Sequence, residues 1–372
     1  MKLTIDARLL TSSGIGVYIQ NVITSPLLNQ FEIRILYNSK DYSFFKSYHY
    51  NTKLIAYDAP LYSVKELIET PAKTIGTDIF WSSHYNVPLV NFASTLKVVT
   101  IHDVYHLAYY DTLNIKQKIY AKLMMSRAVK SSDVIFTVSE FSKREIVKYT
   151  SCNPVKVKVV YNGVNFVKYN TRVSKEKEDE VLLKYKIKPS YILFVGNVKP
   201  HKNLKKALQG YKVLLDNNEL QFKNTRFVIA GKQEGFITGD DELANIILDP
   251  FFKEKVTFTG WVSDEDLPVL YHRASVFIFP SLYEGFGFPP LEAMAAGCPV
   301  VSSNAACLPE IYEDAALYFD PLDATSIATA LSKVLSDSEL RSKLIEKGFA
   351  QSKKFSWNTA IENKINIIKQ SV

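Results

Sequence analysis

The sequence predicts an α/β protein with two parallel sheets that follow one another along the chain. Short apolar runs typical of buried strands alternate with helical patterns, and this alternation implies parallel strands joined by crossover helices. The alternation occurs twice, on either side of Lys168–Asp179, a segment dense in charge and poor in apolar residues. A chain of 372 residues is long enough for two domains that each have a full core.

The strands are predicted from short apolar runs bounded by polar or turn residues. In the first half they are Leu3–Ile5, Phe31–Tyr37, Lys53–Tyr57, Asp78–Ser82, Leu96–Ile101 and Asp133–Val138. In the second half they are Tyr191–Val195, Thr225–Ala230, Lys255–Thr259, Val276–Phe279 and Pro299–Ser302. We expect Lys168–Asp179 to connect the two domains, and Ser356 to cap a last amphipathic helix.

Composition argues against several classes of protein. The 45 basic and 38 acidic residues leave a net charge of +7, a modest excess that suits an anionic ligand or an anionic membrane surface. No nucleic-acid recognition motif accompanies it, so we expect no nucleic-acid partner. Cys152, Cys298 and Cys307 are too few and too scattered for a disulfide framework or a zinc site. The charged N-terminus is unlike a signal peptide and no apolar run is long enough to span a bilayer, which predicts a cytoplasmic protein.

The most informative segment contains two glutamates eight positions apart, Glu284 and Glu292, around a glycine turn and a proline pair. A strand is predicted over Ser275–Ser281 before it, and a helix over Pro290–Ala296 after it. Glu284 is thus expected just past the carboxyl end of a strand, where open α/β sheets bind ligands, and Glu292 in the first turn of the helix. Two such acceptors suit the hydroxyls of a sugar or a ribose. In the alternative interpretation, Glu292 only complements the helix dipole and Glu284 is a solvated loop acid.

The run Glu284–Val300, EGFGFPPLEAMAAGCPV, resembles the E-x7-E motif of the retaining glycosyltransferases of family four. The resemblance covers nearly the whole chain and is strongest from Tyr191 to Glu310. It implies the GT-B fold, in which two Rossmann-like domains face each other across a cleft. Residues 1–167 would form the acceptor-binding domain, with a C-terminal helix over 356–372 that packs back on it. Residues 183–355 would form the nucleotide-sugar-binding domain.

The loop that follows the first strand of the second half, Val195–Leu204, is basic. Many members of the family carry an arginine directly after the glycine of this loop and a lysine five positions further on. Lys202 matches the lysine, whereas Asn197 departs from the arginine, and Lys199 and His201 are the candidates to replace that contact. By the resemblance, Lys202 neutralises the departing diphosphate, which makes it a candidate catalytic residue. Without the resemblance, the loop would be only a solvated basic turn.

The resemblance assigns the other donor contacts to the E-x7-E motif. Glu292 would accept hydrogen bonds from ribose hydroxyls. Glu284, a second candidate catalytic residue, would hold hydroxyls of the donor sugar. The turn between the glutamates would add backbone amide donors and complete the donor-binding set with Gly285, Phe286, Gly287 and Phe288.

The first half offers two further candidates. Gly14 and Gly16 come after the first strand and before a helix, where glycines let backbone amides approach a phosphate. Ile19 stands where the dinucleotide fingerprint has its third glycine, and a plain tight turn is the alternative. Family-four enzymes carry a similar glycine loop that faces the donor diphosphate and the acceptor. Their histidine at the position of His102 contacts the transferred sugar, which makes His102 the third candidate catalytic residue.

No metal site is predicted. Asp264–Asp266 spells the D-x-D that binds a metal in the other major glycosyltransferase fold, but it and Asp240–Asp241 stand where helices are expected to begin, so capping and dipole roles explain them. The resemblance implies a nucleotide-diphosphate sugar as donor substrate and no bound cofactor. GDP-mannose is the first candidate, because the motif resembles bacterial mannosyltransferases of polysaccharide assembly. The acceptor would be a saccharide or a lipid-linked saccharide.

Two segments combine lysines with aromatic residues, Tyr42–Tyr50 and the predicted helix Ile115–Met124. Such segments suit transient contact with anionic lipid, which would bring a cytoplasmic protein to the inner face of the membrane. A solvated helix face is the ordinary alternative.

Other activities remain open at this stage. A sugar-nucleotide epimerase with the GT-B fold would use the same folds without an acceptor. A non-catalytic nucleotide-sugar-binding subunit would bind the donor without turnover. An NAD-dependent oxidoreductase is disfavoured by the incomplete glycine fingerprint.

Overall fold

The computed structural model describes residues 1–46, 52–61, 63–88, 94–217, 219–231, 246 and 248–372. The chain divides into two units, Met1–Gly163 with Ser356–Val372, and Val164–Phe355. Each is an α/β unit around one parallel sheet, which confirms the predicted fold class. Of the segments discussed above, Ser47–Tyr50 and Asp240–Asp241 lie outside the described residues.

The first sheet has seven strands in the order β3-β2-β1-β4-β5-β6-β7, and neighbouring strands pair in parallel. They are β1 Lys2–Asp6, β2 Glu32–Tyr37, β3 Thr52–Ala56, β4 Ile79–Ser82, β5 Leu96–Thr100, β6 Val134–Thr137 and β7 Val157–Val159. Sequence analysis missed β7, because an edge strand of three residues with a central lysine is too short for an apolar run.

Helices cover this sheet, and side chains cap several of them. They are α1 Ser13–Ile23, α2 Tyr42–Phe45, α3 Val64–Lys73, α4 Tyr105–Ala108, α5 Ile115–Ser131 and α6 Glu140–Thr150. Asn114 and Gln117 form a reciprocal capping box at the start of α5, and Ser139 caps α6. Short 3-10 turns occur at Pro26–Gln30, Ser39–Asp41, Tyr110–Thr112, Pro154–Lys156 and, in the second unit, Pro200–Lys202.

The second sheet has six strands in the order β10-β9-β8-β11-β12-β13, again parallel throughout. They are β8 Tyr191–Val195, β9 Arg226–Ala230, β10 Val256–Gly260, β11 Val276–Phe279, β12 Val300–Ser303 and β13 Ala316–Phe319. The described helices are α7 Phe166–Asn170, α8 Lys175–Lys184, α9 Leu204–Asn217, α10 Glu219–Phe222, α11 Pro250–Lys255, α12 Leu267–Arg273, α13 Phe288–Ala295, α14 Leu308–Tyr312, α15 Ala324–Ser336 and α16 Ser338–Lys354.

The predicted connection, Lys168–Asp179, is not a linker. The chain enters the second unit at Val164, and this segment supplies the end of α7 and the first half of α8. Most of its charges lie on the solvent face of these helices, while Tyr169, Glu178, Val181 and Leu182 are buried. Charge density therefore marked a helix surface and not a domain boundary.

In both sheets the strand order reverses once, between β1 and β4 in the first unit and between β8 and β11 in the second. The loops that leave the carboxyl ends of two such strands diverge to opposite faces of the sheet, which opens a crevice. The candidate residues discussed below lie in or beside these loops. Within the described residues, no helix is both long enough and apolar enough to cross a membrane.

The last helix, α17 Trp357–Ser371, begins at the predicted cap, where Ser356 Oγ accepts a hydrogen bond from the Thr359 amide. It belongs to the first unit, and Ile361, Ile365 and Ile368 are part of that unit's core. Lys364 lies among them with no exposed surface.

The Lys364 ammonium has no hydrogen-bonding partner among the described residues, and Nζ lies 5.3 Å from the Tyr18 ring centroid and 6.0 Å from that of Phe136. Burial lowers the pKa of Lys364 to about 7.

Replacing Lys364 by methionine is expected to stabilise the protein at neutral pH, because methionine fills the same space without a buried charge. Between pH 7 and about pH 10.5 the unfolded state holds the Lys364 proton that the folded state has lost, so wild-type stability rises with pH across this window. The gain from Lys364→Met should therefore be on the order of a few kcal/mol at pH 7 and shrink towards pH 10. Calorimetric melting temperatures at the two pH values test this, with the exposed Lys369→Met as control; a gain independent of pH would contradict it.

Candidate active site

Two residues with positive φ and one close contact between glycine backbones shape the loop that follows β8. Gly196 has φ +153°, and a side chain at Gly231 would collide with its carbonyl oxygen. Asn203 adopts the left-handed conformation with φ +56°, and its Nδ2 donates to the carbonyls of Pro280, 3.1 Å away, and Pro321, 2.8 Å away. Asn203 thereby ties this loop to the ends of β11 and β13, a role that sequence analysis did not assign to it.

This arrangement brings Lys202 to Glu284, which lies in the loop after β11. Lys202 Nζ is 2.5 Å from Glu284 Oε1, and the two side chains are 18% and 13% exposed. A backbone bond of 2.8 Å from Leu282 N to His201 O joins the same two loops, and Lys202 Nζ lies 5.3 Å from the Phe279 ring centroid. Two predicted site residues that are 82 positions apart in sequence thus meet where the strand order of the second sheet reverses.

The predicted phosphate-binding role of the remaining loop residues stays a prediction. Asn197 and Lys199 are exposed, and His201 is half-buried. The structure places all three within the loop that carries Lys202.

The turn between the two glutamates is buried and needs glycine. Gly287 has φ +82°, and a Cβ there would clash with the Tyr312 hydroxyl, which donates to the Gly287 carbonyl at 2.8 Å. The rings of Phe286 and Phe288 meet edge to face, with centroids 5.2 Å apart. Because α13 begins Phe288-Pro289-Pro290, two of its first amide positions have no N–H to donate.

Contrary to the prediction, Glu292 does not lie in the first turn of its helix. The helix starts at Phe288 and not at Pro290, so Glu292 lies in the second turn, where the effect of the helix dipole has declined. Its Oε2 accepts a hydrogen bond of 2.9 Å from the Tyr271 hydroxyl, and the Tyr169 hydroxyl also bonds to the carboxylate. Burial raises the pKa of the Glu292 carboxyl, although both tyrosine bonds and the nearby Lys168 oppose that shift.

Tyr169 and Tyr271 were not identified from the sequence. Their rings meet edge to face at 5.8 Å, and both are buried. They come from α7 and α12, which are about a hundred residues apart, so no local spacing signals that they converge on one carboxylate.

In the first unit, His102 follows β5. Its Nε2 lies 3.1 Å from the Ser83 carbonyl, which requires Nε2 to carry the proton and leaves Nδ1 as the acceptor of the neutral ring. Burial lowers the pKa of His102 to about 4, so the imidazole is neutral at physiological pH. The Tyr18 ring packs against it edge to face at 4.8 Å, and Ser142 Oγ donates to its carbonyl at 3.2 Å.

Gly14 and Gly16 do not lie in a loop before the helix, as expected, but within the first turns of α1. Gly16 is required for packing, since a Cβ there would meet the Leu10 carbonyl oxygen at 2.5 Å. The amphipathic helix pattern extends further back than the glycines suggested, because Ser12 already takes the N-cap position.

Within the acidic triplet Asp264–Asp266, Asp266 has a structural role. Asp266 occupies the N-cap position of α12, but its carboxylate makes no capping bond. It accepts instead from Lys184 Nζ at 2.6 Å and from the Tyr185 hydroxyl at 2.8 Å. Among the described residues, no group of three or more His, Cys, Asp or Glu side chains is arranged to hold a metal ion.

Two family models match the chain. One, described as glycosyl transferases group 1, matches residues 174–351, and the other, Glycosyltransferase Family 4, matches residues 45–167. Together they account for most of both units.

Curated relatives include the O-antigen chain mannosyltransferase B of Escherichia coli, 34% identical over 67% of this chain and 64% of its own length. The O-antigen chain mannosyltransferase RfbU of Salmonella typhimurium is 31% identical over 68% of this chain and 64% of its own. The matched region thus spans slightly less than two thirds of either relative.

Solved structures share the fold. WaaG, a glycosyltransferase involved in lipopolysaccharide biosynthesis, superposes with a TM-score of 0.74 at 15% identity over 99% of both chains. Anabaena Alr3699/HepE in complex with UDP and glucose gives a TM-score of 0.76 at 14% identity, also over 99% of both chains.

Gly287→Ala is expected to lower stability more than a glycine substitution that only strains the backbone. Gly76 is the matched control, since it has φ +72° with no atom near the position of a Cβ. Gly76→Ala should cost about 1 kcal/mol from strain alone, whereas Gly287→Ala must in addition displace the buried Tyr312 hydroxyl and should cost at least about twice as much. Calorimetric melting of both variants checks this, and equal losses would show that the Tyr312 contact does not constrain the turn.

Proposed function

The chain belongs to glycosyltransferase family four, and on that basis we propose that it is a retaining hexosyltransferase of surface polysaccharide assembly. It takes a hexosyl group, with mannosyl as first candidate, from a nucleotide-diphosphate sugar and transfers it to a saccharide or a lipid-linked saccharide. The observation that carries this proposal is the meeting of Lys202 and Glu284 at the strand-order reversal of the second sheet.

The Lys202–Glu284 pair places hydrogen-bond donors and a hydrogen-bond acceptor side by side. The Lys202 ammonium has three donors and Glu284 engages one of them, so further donors can serve phosphate oxygens. Glu284 Oε2 is left to accept from sugar hydroxyls. A site that binds a diphosphate and a sugar side by side needs this combination.

The reaction breaks the bond between the anomeric carbon and the leaving phosphate oxygen. The acceptor oxygen forms its bond on the same face of the sugar, and its proton passes to the departing phosphate oxygen. No second carboxylate is needed to take that proton, unlike in glycoside hydrolases. The main electrostatic task is to stabilise the diphosphate as its negative charge grows, and this is the role proposed for Lys202.

Glu292, kept in place by Tyr169 and Tyr271, is proposed to bind the ribose hydroxyls through carboxylate lone pairs that the tyrosines leave available. His102, neutral and with Nδ1 as acceptor, is proposed to take a hydroxyl of the transferred sugar. Transfer is proposed to proceed without a metal or any bound cofactor.

The donor is proposed to be GDP-mannose because both curated relatives named above are mannosyltransferases. Thermal shift with a panel of nucleotide sugars tests this choice, since a ligand at a hundred times its Kd stabilises by about 2.7 kcal/mol. Product formation with and without EDTA then tests both transfer and metal independence. Interconversion of the donor without any acceptor would favour the epimerase instead.

Lys202→Ala is expected to reduce kcat more than it weakens donor binding, because the charge on the diphosphate is larger in the transition state than in the bound donor. We expect a loss of roughly a hundredfold or more in kcat, against less than about tenfold in the donor Kd. Lys212→Ala is the control, since Lys212 forms an ordinary exposed pair with Asp216 at 3.6 Å. A change confined to donor binding would show that Lys202 has no special role in the transition state.

Peripheral association with the inner face of the membrane is also proposed, and helix α5 supports it. Ile115, Ile119 and Leu123 form an apolar stripe along one face and are 76%, 63% and 52% exposed. Lys116 and Lys122 flank the stripe and are exposed as well. A lysine-flanked apolar stripe suits insertion into an anionic lipid surface.

The other aromatic and basic segment contributes less than expected. Phe45 is buried in the core of the first unit, and Phe44 packs against that core. Only Tyr42, 50% exposed, is available to lipid among the aromatic residues described there.

Changing Lys116, Lys118 and Lys122 together to glutamine should weaken binding to vesicles of phosphatidylglycerol and phosphatidylcholine by roughly tenfold or more, since each lysine contributes about 1 kcal/mol near an anionic surface. Binding of the wild type should also fall as salt rises. The control removes three exposed lysines of α16, Lys343, Lys347 and Lys354, which should leave vesicle binding unchanged. Wild-type protein that fails to sediment with the vesicles at low salt would remove this part of the proposal.

A further inference from the structure

A buried polar cluster lies at the carboxyl end of β1 in the first unit. Arg8 Nε donates to Asp6 Oδ1 at 2.9 Å, and Nη2 donates to Asp6 Oδ2 at 2.5 Å and to Glu66 Oε1 at 2.7 Å. The Arg8 side chain is only 3% exposed. Its remaining terminal nitrogen, Nη1, has no hydrogen-bonding partner among the described residues.

Further contacts fix the Arg8 guanidinium in one orientation. Asn86 Nδ2 donates to the second oxygen of Glu66, and the Tyr120 hydroxyl of α5 donates to Asn86 Oδ1. The guanidinium also lies 4.2 Å from the centroid of the Tyr57 ring. These contacts hold the buried guanidinium in one orientation and leave the two N–H groups of Nη1 without an acceptor among the described residues.

The cluster lines a small, partly enclosed cavity with room for about one water-sized group. Leu9 and Leu61 form its apolar wall, and Ser83 and His84 extend it from the end of β4. The cavity therefore lies where the strand order of the first sheet reverses, between β1 and β4. Ser83 also links it to His102, because Ser83 Oγ donates to the Asp6 carbonyl at 2.5 Å and the Ser83 carbonyl accepts from His102 Nε2 at 3.1 Å.

The chemistry of the cluster selects a neutral hydroxyl and not a phosphate. Two carboxylates against one guanidinium leave one net negative charge, which repels an anion. Burial alone would lower the pKa of Arg8, but Asp6 and Glu66 outweigh it and raise the pKa, so the donor stays charged. The leucine wall suits the C–H groups of a sugar, and the volume admits one substituent and not a ring.

We propose that this cavity is a subsite for one hydroxyl group of the saccharide acceptor, held by the cluster of Arg8, Asp6 and Glu66 that lines it. The proposal rests on the glycosyltransferase function above and specifies how its acceptor is recognised. Arg8 would then determine acceptor specificity, because a buried donor without its partner costs more than a lost surface contact.

A double-mutant cycle between enzyme and acceptor tests the proposal. Transfer by the wild type is measured with the methyl glycosides of mannose, glucose, galactose and N-acetylglucosamine, and then with the monodeoxy derivatives of the best of them. One deoxy position should lower kcat/KM by about tenfold or more in the wild type. In Arg8→Lys that same deletion should cost less than about threefold, while deletions at the other positions cost the same in both enzymes.

Arg273→Lys is the matched control, since Arg273 also binds two carboxylates, Glu178 at 2.9 Å and Asp179 at 3.4 Å, but in the second unit. It should leave every deoxy ratio unchanged. If Arg8→Lys does not fold, Tyr120→Phe serves instead. It removes the hydrogen bond to Asn86, which holds Glu66 beside Arg8, and should reduce the same deoxy ratio several-fold.

Three outcomes are decisive. Loss of one deoxy penalty in Arg8→Lys, and not in Arg273→Lys, supports the subsite. Equal deoxy penalties in the wild type and the Arg8 or Tyr120 variant overturn it and leave the cavity as the place of a structural water only. A wild type that transfers sugar from no nucleotide sugar, either to the glycosides or to a lipid-linked saccharide, would overturn the proposed function, and the subsite with it.

Discussion

The ion pair between Lys202 and Glu284 is the interaction on which the candidate site depends. It joins the loops that leave two neighbouring parallel strands, β8 and β11, and both side chains are largely shielded from water. Partial burial strengthens the attraction relative to an exposed pair but also makes it costly to leave either charge unmatched. Asn203 fixes this geometry. Its backbone is in the left-handed conformation, and its side chain donates to the carbonyls that follow β11 and β13, which holds the lysine loop in place.

A second layer of tyrosines holds the rest of the motif. Tyr312 bonds to the carbonyl of Gly287 and fills the space that any side chain there would need. Tyr271 and Tyr169 hold the carboxylate of Glu292, so this acid is oriented by protein groups. Each of these hydroxyls removes rotational freedom from a group that is proposed to contact substrate, which lowers the entropy lost on binding.

Both units contain a strand-order reversal, but the side chains at the two reversals differ in their chemistry. In the second unit, the strand-order reversal brings together an ammonium and a carboxylate, which suits the charged nucleotide sugar proposed as donor substrate. In the first, it encloses the Arg8 cluster, which has a net negative charge, and it lies next to a histidine whose burial keeps it neutral. A parallel sheet creates such a crevice whatever its sequence, and the side chains at the strand ends decide what it binds.

Sequence alone determined the α/β class, the succession of two parallel sheets and most strands to within one or two residues, because hydrophobic periodicity and turn residues are local signals. It also singled out Glu284 and Glu292 through the E-x7-E motif and Lys202 through the basic loop after β8, because each of these two signals is local in sequence. It misplaced the domain boundary at Lys168–Asp179 and put Gly14 and Gly16 in a loop, because charge runs and glycines have the same appearance on a helix surface as in a connection. Only the tertiary structure decided that Lys202 meets Glu284, that Tyr169 and Tyr271 meet Glu292, and that the cluster of Arg8, Asp6 and Glu66 lines a cavity. These contacts join residues between two and about 120 positions apart. Even the shortest of them depends on how strands and helices pack, which no local pattern records.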